Sequence, residues 1–145
     1  MVKEVFSFGA SPDAIAIRNA VYVDELGLES DIDEYDRSCW EVVLYLDKIP
    51  ISTGRVREID PENFLIEKVT VIKSLRGQSV GAYTHKFLIT KIRTLGGRYA
   101  IVHVSPKYIE HYKALQFRLN KGELRYEKLD GEQIEMVRSL VKKYP

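Results

Sequence analysis

The sequence is poor in cysteine and in long apolar runs, and each scarcity excludes a class of protein. One cysteine, Cys39, cannot form an intrachain disulfide framework or a cysteine-built zinc cage, so we expect it to serve packing. No apolar stretch approaches the roughly 20 residues that a membrane-spanning helix needs. The N-terminus lacks the basic and then apolar layout of a signal peptide. Together these features predict a cytoplasmic protein with no membrane segment.

Net charge is also small, because 22 basic and 21 acidic residues nearly cancel. No electrostatic case for binding nucleic acid or an anionic membrane surface follows from that balance. Three dispersed histidines without an i,i+4 pair predict no zinc site, and we expect no metal. The chain of 145 residues, 45% of them apolar, is long enough for a substantial core. We therefore predict a single domain over residues 1–145.

The hydrophobic periodicity predicts strands and helices in alternation. Ser11-Pro12-Asp13 is a strong helix start, with serine as N-cap and proline at the first helical position. Strands are predicted at 2–8, 40–47, 51–58, 64–71, 99–104, 117–120 and 124–129, with turns that include Lys121-Gly122. Helices are predicted from 11 to 26, from the Gly77–Gly81 loop to Gly96-Gly97, from 105 to 115 and from 132 to 143. The acidic segment 29–36 fits a short helix or a structured loop.

The stretch from Val69 to Ala82 joins a strand to a helix through a glycine-bearing loop. Such a loop leaves backbone N–H groups unpaired, and the helix dipole adds partial positive charge at the same place. Glycine lets the main chain approach a phosphate closely, and Arg76 offers a forked cation. The nucleotide signatures G-x-x-x-x-G-K-[ST] and G-x-G-x-x-G are both unmet. The stretch therefore predicts an anion site of another kind.

The loop resembles motif A of the GNAT acetyltransferases, which reads [RQ]-x-x-G-x-[GA] and holds the pyrophosphate of acetyl-CoA. The matching residues are Arg76, Gly77, Gln78, Ser79, Val80 and Gly81, with Ala82 next. Ser79 stands where the family usually has glycine. A positive φ there would cost serine roughly 1–2 kcal/mol. We favour the alternative, in which Ser79 has a helical φ, keeps its N–H and adds a hydroxyl donor.

Residues 108–117 resemble the family's motif B, A-x-x-x-Y-x-x-x-G-F. Tyr112 and Phe117 have the right spacing, whereas Gln116 replaces the helix-ending glycine and predicts a different helix end. Where the family has an asparagine, Ser105 could donate a hydroxyl to the pantetheine arm. Near the N-terminus, the spacing of six residues resembles a motif of a subgroup of small proteins in the superfamily. The six residues are Arg18, Val21, Tyr22, Glu25, Asp31 and Asp36.

The resemblance implies the GNAT fold over essentially the whole chain. That fold is a three-layer α/β domain with a mixed, mostly antiparallel central sheet and helices on both faces. The predicted helix at 132–143 is an addition to it. The cofactor contacts implied are the backbone of Val69, Thr70 and Val71 beside pantetheine, the loop Arg76–Gly81 with Ala82 around the pyrophosphate, and Ser105 and Tyr112.

The implied reaction is direct attack of a primary amine on the thioester of acetyl-CoA, which acts as co-substrate. The amine must lose a proton, since an ammonium has a pKa near 10.4, so a base or a water chain is needed. Glu67 shares strand parity with Val69 and Val71 and could be that base; a solvated or salt-bridged strand glutamate is the alternative. A backbone N–H near Val69–Val71 would stabilise the oxyanion, and Tyr112 would protonate the leaving thiolate.

Several questions stay open at the level of sequence. The acceptor amine, small molecule or protein, cannot be read, and either a monomer or a homodimer is compatible. A catalytically silent acyl-CoA-binding regulator or scaffold is one alternative, and a transferase of longer acyl chains is another. His103 lies in an apolar strand and is more often a satisfied core histidine than a base. The acidic residues of 31–36 most often form a solvated face, or else a rim for a cationic acceptor.

Overall fold

A computed structural model describes residues 1–120, 125–128 and 131–141. Contacts divide the chain into two compact units, Met1–Arg57 with Ile66–Lys91 and Glu58–Leu65 with Ile92–Pro145. Each unit is described by itself below. In the described residues, no helix is both long and apolar enough to cross a membrane.

The first unit contains a sheet whose strands follow chain order. Its strands are β1 (Val2–Phe8), β2 (Trp40–Leu46), β3 (Ile49–Glu58) and β4 (Asn63–Val71), and the last of these begins in the second unit. β1 and β2 are antiparallel from Val2↔Leu46 to Phe8↔Trp40, and β2 and β3 are antiparallel as well. Asp47 and Lys48 both have positive φ, which is the conformation of a two-residue hairpin turn. The strands predicted at 40–47 and 51–58 are confirmed, and they form this hairpin.

Helices cover both faces of this sheet. The α1 helix (Pro12–Arg18) begins where predicted, because Ser11 Oγ accepts a hydrogen bond of 3.2 Å from the Ala14 amide. It continues as a π-helix (Asn19–Glu25), and Gly27 follows with positive φ. The apolar side of α1 packs on the sheet through a cluster of Ala14, Ile17 and Val43. A short 3₁₀ helix, Glu34–Arg37, lies in the acidic segment.

The second helix, α2 (Val80–Thr94), packs on the opposite face. Ser52 and Thr84 share a hydrogen bond of 2.9 Å between strand and helix. Gly54 permits the close approach, since a Cβ there would lie 2.7 Å from Leu88 Cδ1 and 3.2 Å from Val69 Cγ2. Helix, sheet and helix thus form the three layers that the sequence predicts.

In the second unit, β8 (Gly131–Ser139) lies between β5 (Tyr99–Val104) and β6 (Arg118–Leu119), and β7 (Arg125–Lys128) also pairs with β8. These pairs are antiparallel, with β5 running from Tyr99↔Ser139 to Val104↔Ile134. A 3₁₀ turn at Pro106–Tyr108 precedes the short helix α3 (Ile109–Ala114). The predicted turn at Lys121-Gly122 lies outside the described residues, as do Leu124 and Leu129.

The predicted C-terminal helix is wrong, because residues 131–139 form strand β8. Ile134, Val137 and Val141 have helical spacing, which suggested one apolar stripe. The alternation of Ile134 and Met136, both buried, fits a strand equally well, and pairing with β5 decides between the two. Tertiary contacts thus override the local pattern, and residues 142–143 of the predicted helix lie outside the described chain.

Candidate active site

The loop between β4 and α2 presents a row of backbone N–H groups. In the described part of the chain, none of the six consecutive amides from Gly77 to Ala82 donates a hydrogen bond. The first amide of α2 with an acceptor is that of Tyr83, which donates to Ser79 O at 3.0 Å. Unpaired amides at the start of a long helix attract an anion, because the helix dipole adds to their charge. Such a row is compatible with the predicted anion site, and binding of an anion by the motif residues stays a prediction.

Ser79 does not have the helical backbone that we favoured. Its φ is +63°, and Gly77 also lies in the left-handed region with φ of +77°. Serine therefore carries the conformational penalty that glycine would avoid, while its amide still belongs to the unpaired row. Gly81 has a negative φ, and a Cβ on it would only touch Val71 Cγ2 at 3.8 Å. Alanine would fit at position 81, as the [GA] of the motif allows.

The guanidinium of Arg76 forms a forked ion pair with Glu25. Nη1 and Nη2 donate to the two oxygens of Glu25 at 2.8 and 2.6 Å, and Nε donates to the Val71 carbonyl at 3.2 Å. The hydrogen bond from Arg76 lowers the pKa of the exposed Glu25 carboxyl. An anion at the loop must share Arg76 with this carboxylate or replace it.

Glu25→Gln is therefore expected to tighten acetyl-CoA binding by about 2- to 5-fold, the range that an exposed ion pair allows. The reason is that glutamine releases the guanidinium for the diphosphate. Isothermal titration measures the dissociation constant. Glu29→Gln, which removes the same charge four residues later on an exposed position, should leave it unchanged. Weaker binding by the Glu25 variant would show that Glu25 orients Arg76 for the ligand instead of competing for it.

Beside β4, the first unit contains an array of buried and partly buried ionic side chains that we call the charge cluster. Its members come from α1, the acidic segment and strands β2 to β4: Arg18, Asp31, Asp33, Asp36, Glu41, Arg55, Arg57, Glu67 and Lys68. The acidic segment is not the solvated face that the sequence favoured, since Asp31 and Asp36 are buried. The carboxylates of Asp31, Asp33 and Asp36 are bonded to arginine or lysine, so these three are not spare for a cationic acceptor, whereas Glu34 is exposed.

Arg18 is one centre of the charge cluster and is 1% exposed. Its Nε donates to Asp31 at 2.5 Å, its Nη1 to Asp36 at 2.6 Å, and its Nη1 also reaches Glu41 at 3.3 Å. Burial opposes the charge on Asp36, but the hydrogen bonds from Arg18 and the Asp33 amide, with the charges of Arg18 and Arg55, together outweigh it and lower the pKa of that carboxyl. Burial raises the pKa of Glu41, which the hydrogen bond from Thr53 offsets only in part. Arg18 thus ties α1 to the acidic segment.

Glu67 belongs to the charge cluster, which changes its expected role. Its Oε1 accepts from Arg55 Nη2 and from Arg57 Nε, each at 3.0 Å. Burial disfavours its charge, yet the hydrogen bond from Arg57 and the charges of both arginines prevail, so the pKa of Glu67 lies below its usual value. A carboxyl with a lowered pKa accepts a proton poorly. The salt-bridged alternative describes its contacts, and its role as base stays a prediction.

The predicted common parity of Glu67, Val69 and Val71 is wrong. Lys68 has a φ of +58°, and its Nζ bonds Asp31 Oδ1 at 2.5 Å in the same charge cluster that holds Glu67. Val69 instead lies on the α2 face, close to the position of a Gly54 Cβ. Two successive side chains on one face, one of them with a left-handed backbone, define a β-bulge. Sequence alternation alone cannot reveal such an extra residue.

The other predicted site residues lie in the second unit. Tyr112 is half-buried and packs edge-to-face on Phe117 with ring centroids 5.6 Å apart. Ser105 precedes the 3₁₀ turn, and its carbonyl accepts from the Tyr108 amide at 2.9 Å. His103 has a partner, as expected for a core histidine, because its Nε2 lies 3.1 Å from Glu135 Oε1. The roles of Ser105 and Tyr112 in binding and catalysis stay predictions.

The prediction that Gln116 gives α3 a different helix end is wrong. The helix ends in the same way as one that has glycine at this position. The Phe117 amide donates to Tyr112 O at 3.0 Å and the Gln116 amide to Lys113 O at 2.9 Å. These two bonds form a Schellman motif, whose C′ residue is left-handed, and Gln116 has a φ of +72°. Glutamine thus takes the backbone conformation of the family's glycine.

Ser79→Gly and Gln116→Gly are each expected to raise the free energy of unfolding by about 0.5–1 kcal/mol. Glycine removes the left-handed penalty, and its greater freedom in the unfolded chain returns part of that gain. Urea denaturation measures the change. Gln78→Gly is the control, since Gln78 has a negative φ and glycine should there lower stability. Equal destabilisation by all three substitutions would contradict the prediction.

In the described residues, no three His, Cys, Asp or Glu side chains are grouped in a way that could hold a metal ion.

Comparisons with known proteins give relatives in sequence and in fold, and no protein-family model matches the chain. A Bacillus subtilis (strain 168) protein named as an acetyltransferase is 27% identical over 135 residues, 90% of this chain and 89% of that protein. A crystal structure titled as that of a putative N-acetyltransferase from Lactobacillus plantarum has a TM-score of 0.85 at 25% identity, covering 97% of this chain and 99% of that one. A GNAT family acetyltransferase from Elizabethkingia anophelis, solved with acetyl-CoA bound, has a TM-score of 0.73 at 15% identity over 96% and 98%.

The fold and the names of these relatives define the chain as an acyltransferase. It shares its fold with a GNAT family acetyltransferase.

Proposed function

We propose that the protein transfers an acetyl group from acetyl-CoA to a primary amine by direct attack in a ternary complex. The observation that carries this proposal is the row of unpaired amides from Gly77 to Ala82 at the start of α2. A diphosphate has the charge and the acceptor oxygens that such a row requires. The Elizabethkingia protein of the same fold binds acetyl-CoA, which supports the choice of ligand.

In this proposal, acetyl-CoA lies along the end of β4 and the loop after it. The backbone of Val69, Thr70 and Val71 runs beside pantetheine and supplies an N–H to the thioester oxygen. Arg76 and the amides that follow it hold the diphosphate, and the Ser105 hydroxyl binds the pantetheine arm. This N–H stabilises the negative charge that develops on the carbonyl oxygen during attack. Such electrostatic stabilisation is usually the largest single contribution to catalysis of acyl transfer.

Proton transfer completes the proposed reaction. Tyr112 donates a hydrogen bond or a proton to the departing thiolate. The amine proton leaves through water, because the ion pairs of Glu67 with Arg55 and Arg57 support a base role poorly. Glu67 therefore stays a candidate that only kinetics can assign. A cytoplasmic location, a single domain and a monomer or homodimer are kept as predictions from the sequence.

Isothermal titration with acetyl-CoA and with CoA tests the proposal directly, followed by a thiol-release assay over a panel of amines. We expect micromolar to millimolar binding and amine-dependent release of CoA. Absence of binding at millimolar concentration would refute the proposal. Binding without release from any amine would favour the silent regulator. Tighter competition by longer acyl-CoA esters would favour transfer of a longer chain.

A further inference from the structure

A residue with an unfavourable backbone interrupts β4 at the start of the proposed thioester site. Lys68 has a φ of +58°, although it carries a Cβ and stands within a strand. Such a conformation persists only where the surroundings hold it in place. The bulge separates Glu67 and Lys68, which face the charge cluster, from Val69, which faces α2. It therefore sets the direction of the peptide groups that follow.

Contacts fix the bulge on both of its residues. Glu67 is held by the guanidinium groups of Arg55 and Arg57. Lys68 is held at its ammonium by Asp31 Oδ1 at 2.5 Å and at its carbonyl by the Thr70 hydroxyl at 2.9 Å.

Asp31, which binds the lysine, is itself held in place by Arg18. Its other carboxylate oxygen accepts from Arg18 Nε at 2.5 Å, and its carbonyl accepts from Arg18 Nη2 at 2.8 Å. The Asp31 side chain is 2% exposed, against 24% for that of Lys68. A buried carboxylate with a fixed orientation can therefore anchor a more mobile lysine, and Arg18 links α1 to the bulge through it.

We propose that Lys68 and Asp31 are positioning residues that hold the β4 bulge, so that a backbone N–H of Val69–Val71 meets the thioester oxygen. The inference rests on the proposed acyl transfer and names residues that lie outside motifs A and B. An oxyanion donor must be placed within about 0.5 Å of its productive position. A misplacement of about 1 Å can lower the rate roughly 100-fold. An ion pair that fixes the bulge therefore acts on the rate without touching the substrate.

Three variants test the role of the ion pair. Lys68→Met keeps the length of the side chain but loses the ion pair, and Asp31→Asn weakens it from the other side. Both are expected to lower kcat by about 10-fold or more, while the dissociation constant of CoA, which has no acetyl carbonyl, changes less than about 2-fold. Lys68→Gly also loses the ion pair, but glycine takes positive φ without help. It should therefore keep a larger part of kcat than Lys68→Met.

Controls separate this role from others. Lys86→Met removes an exposed lysine of α2 and should change neither quantity. Equal loss of kcat in Lys68→Gly and Lys68→Met would overturn the proposal, since the ammonium would then act directly. A parallel loss of CoA affinity in Lys68→Met would overturn it as well, because the substitution would then disturb the whole site.

A readout without turnover separates this inference from the proposed function. Amide hydrogen exchange at Val69–Val71 should be about 10-fold faster in Lys68→Met than in the wild type, and close to the wild type in Lys68→Gly. Unchanged exchange in Lys68→Met refutes the positioning role even if the enzyme is active. Failure of the wild type to bind acetyl-CoA refutes the proposed function, whereas faster exchange still supports control of the bulge by Lys68.

Discussion

Arg18→Met is expected to lower the free energy of unfolding by about 3–5 kcal/mol, the usual cost of removing one partner of a buried ion pair. Methionine fills much of the volume of arginine but leaves Asp31, Asp36 and Glu41 without its charge. Lys68 still neutralises Asp31, and Arg55 still neutralises Asp36. Glu41 is the carboxylate that suffers most, because its remaining hydrogen bond comes from the neutral Thr53 hydroxyl.

The loss should depend on pH in a defined direction. Burial already holds the pKa of Glu41 above its usual value, and removal of Arg18 raises it further. A group whose pKa is higher in the folded state stabilises the fold when protonated, and this contribution disappears as pH rises through the folded pKa. The difference between wild type and Arg18→Met should therefore shrink as pH falls from 7 towards the usual pKa of glutamate. Glu41→Gln in the Arg18→Met background should recover part of the stability at pH 7.

Denaturation in guanidinium chloride measures these effects, with the fluorescence of Trp40, the single tryptophan, as the probe. Arg76→Met is the matched control, because its ion pair with Glu25 is exposed and its loss should cost no more than about 1 kcal/mol. A loss below about 1 kcal/mol in Arg18→Met would mean that water or structural relaxation compensates the buried carboxylates.

The sequence predicted correctly those helices and strands whose formation depends on residues close together along the chain. The serine cap before Pro12 fixed the start of α1, and the apolar run from Tyr99 to Val104 marked β5 with its observed bounds. The loop of motif A was also predictable, since glycine, a preceding strand and a following helix occur together. Where two periods fit the same residues, as at Ile134 to Val141, only the pairing with β5 could decide.

The charge cluster could not be predicted from the sequence, because its ion pairs join residues that are far apart along the chain. Arg18 meets Asp31 across 13 residues, and Lys68 meets Asp31 across 37. No local propensity reports such a pairing, so acidic residues in a turn were assigned to solvent. One signal was present: Thr53 and Arg55 alternate with Gly54 and Val56 in the part of β3, residues 51–56, that is buried. Buried polar groups need partners, and nearby carboxylates are the natural ones.

Tyr112→Phe is expected to lower kcat about 100-fold or more, because general acid catalysis contributes about 10²- to 10⁴-fold. Phenylalanine keeps the edge-to-face packing on Phe117 and the Schellman end of α3, so stability should change little. The dissociation constant of acetyl-CoA should also change little, since the diphosphate amides are untouched. A thiol-release assay measures kcat, and isothermal titration measures the dissociation constant of acetyl-CoA.

Tyr108→Phe is the matched control for that substitution. Tyr108 lies four residues earlier, is 49% exposed and stands where motif B has alanine, a residue without a hydroxyl, so loss of its hydroxyl should leave kcat unchanged. Equal effects of the two substitutions would point to a general loss of polarity around α3. An unchanged kcat in Tyr112→Phe, with binding intact, would mean that the thiolate leaves without an acid from this helix, because a thiol with a pKa near 8.5 is already a fair leaving group. The acetyl transfer would then depend on the oxyanion N–H and on orientation alone.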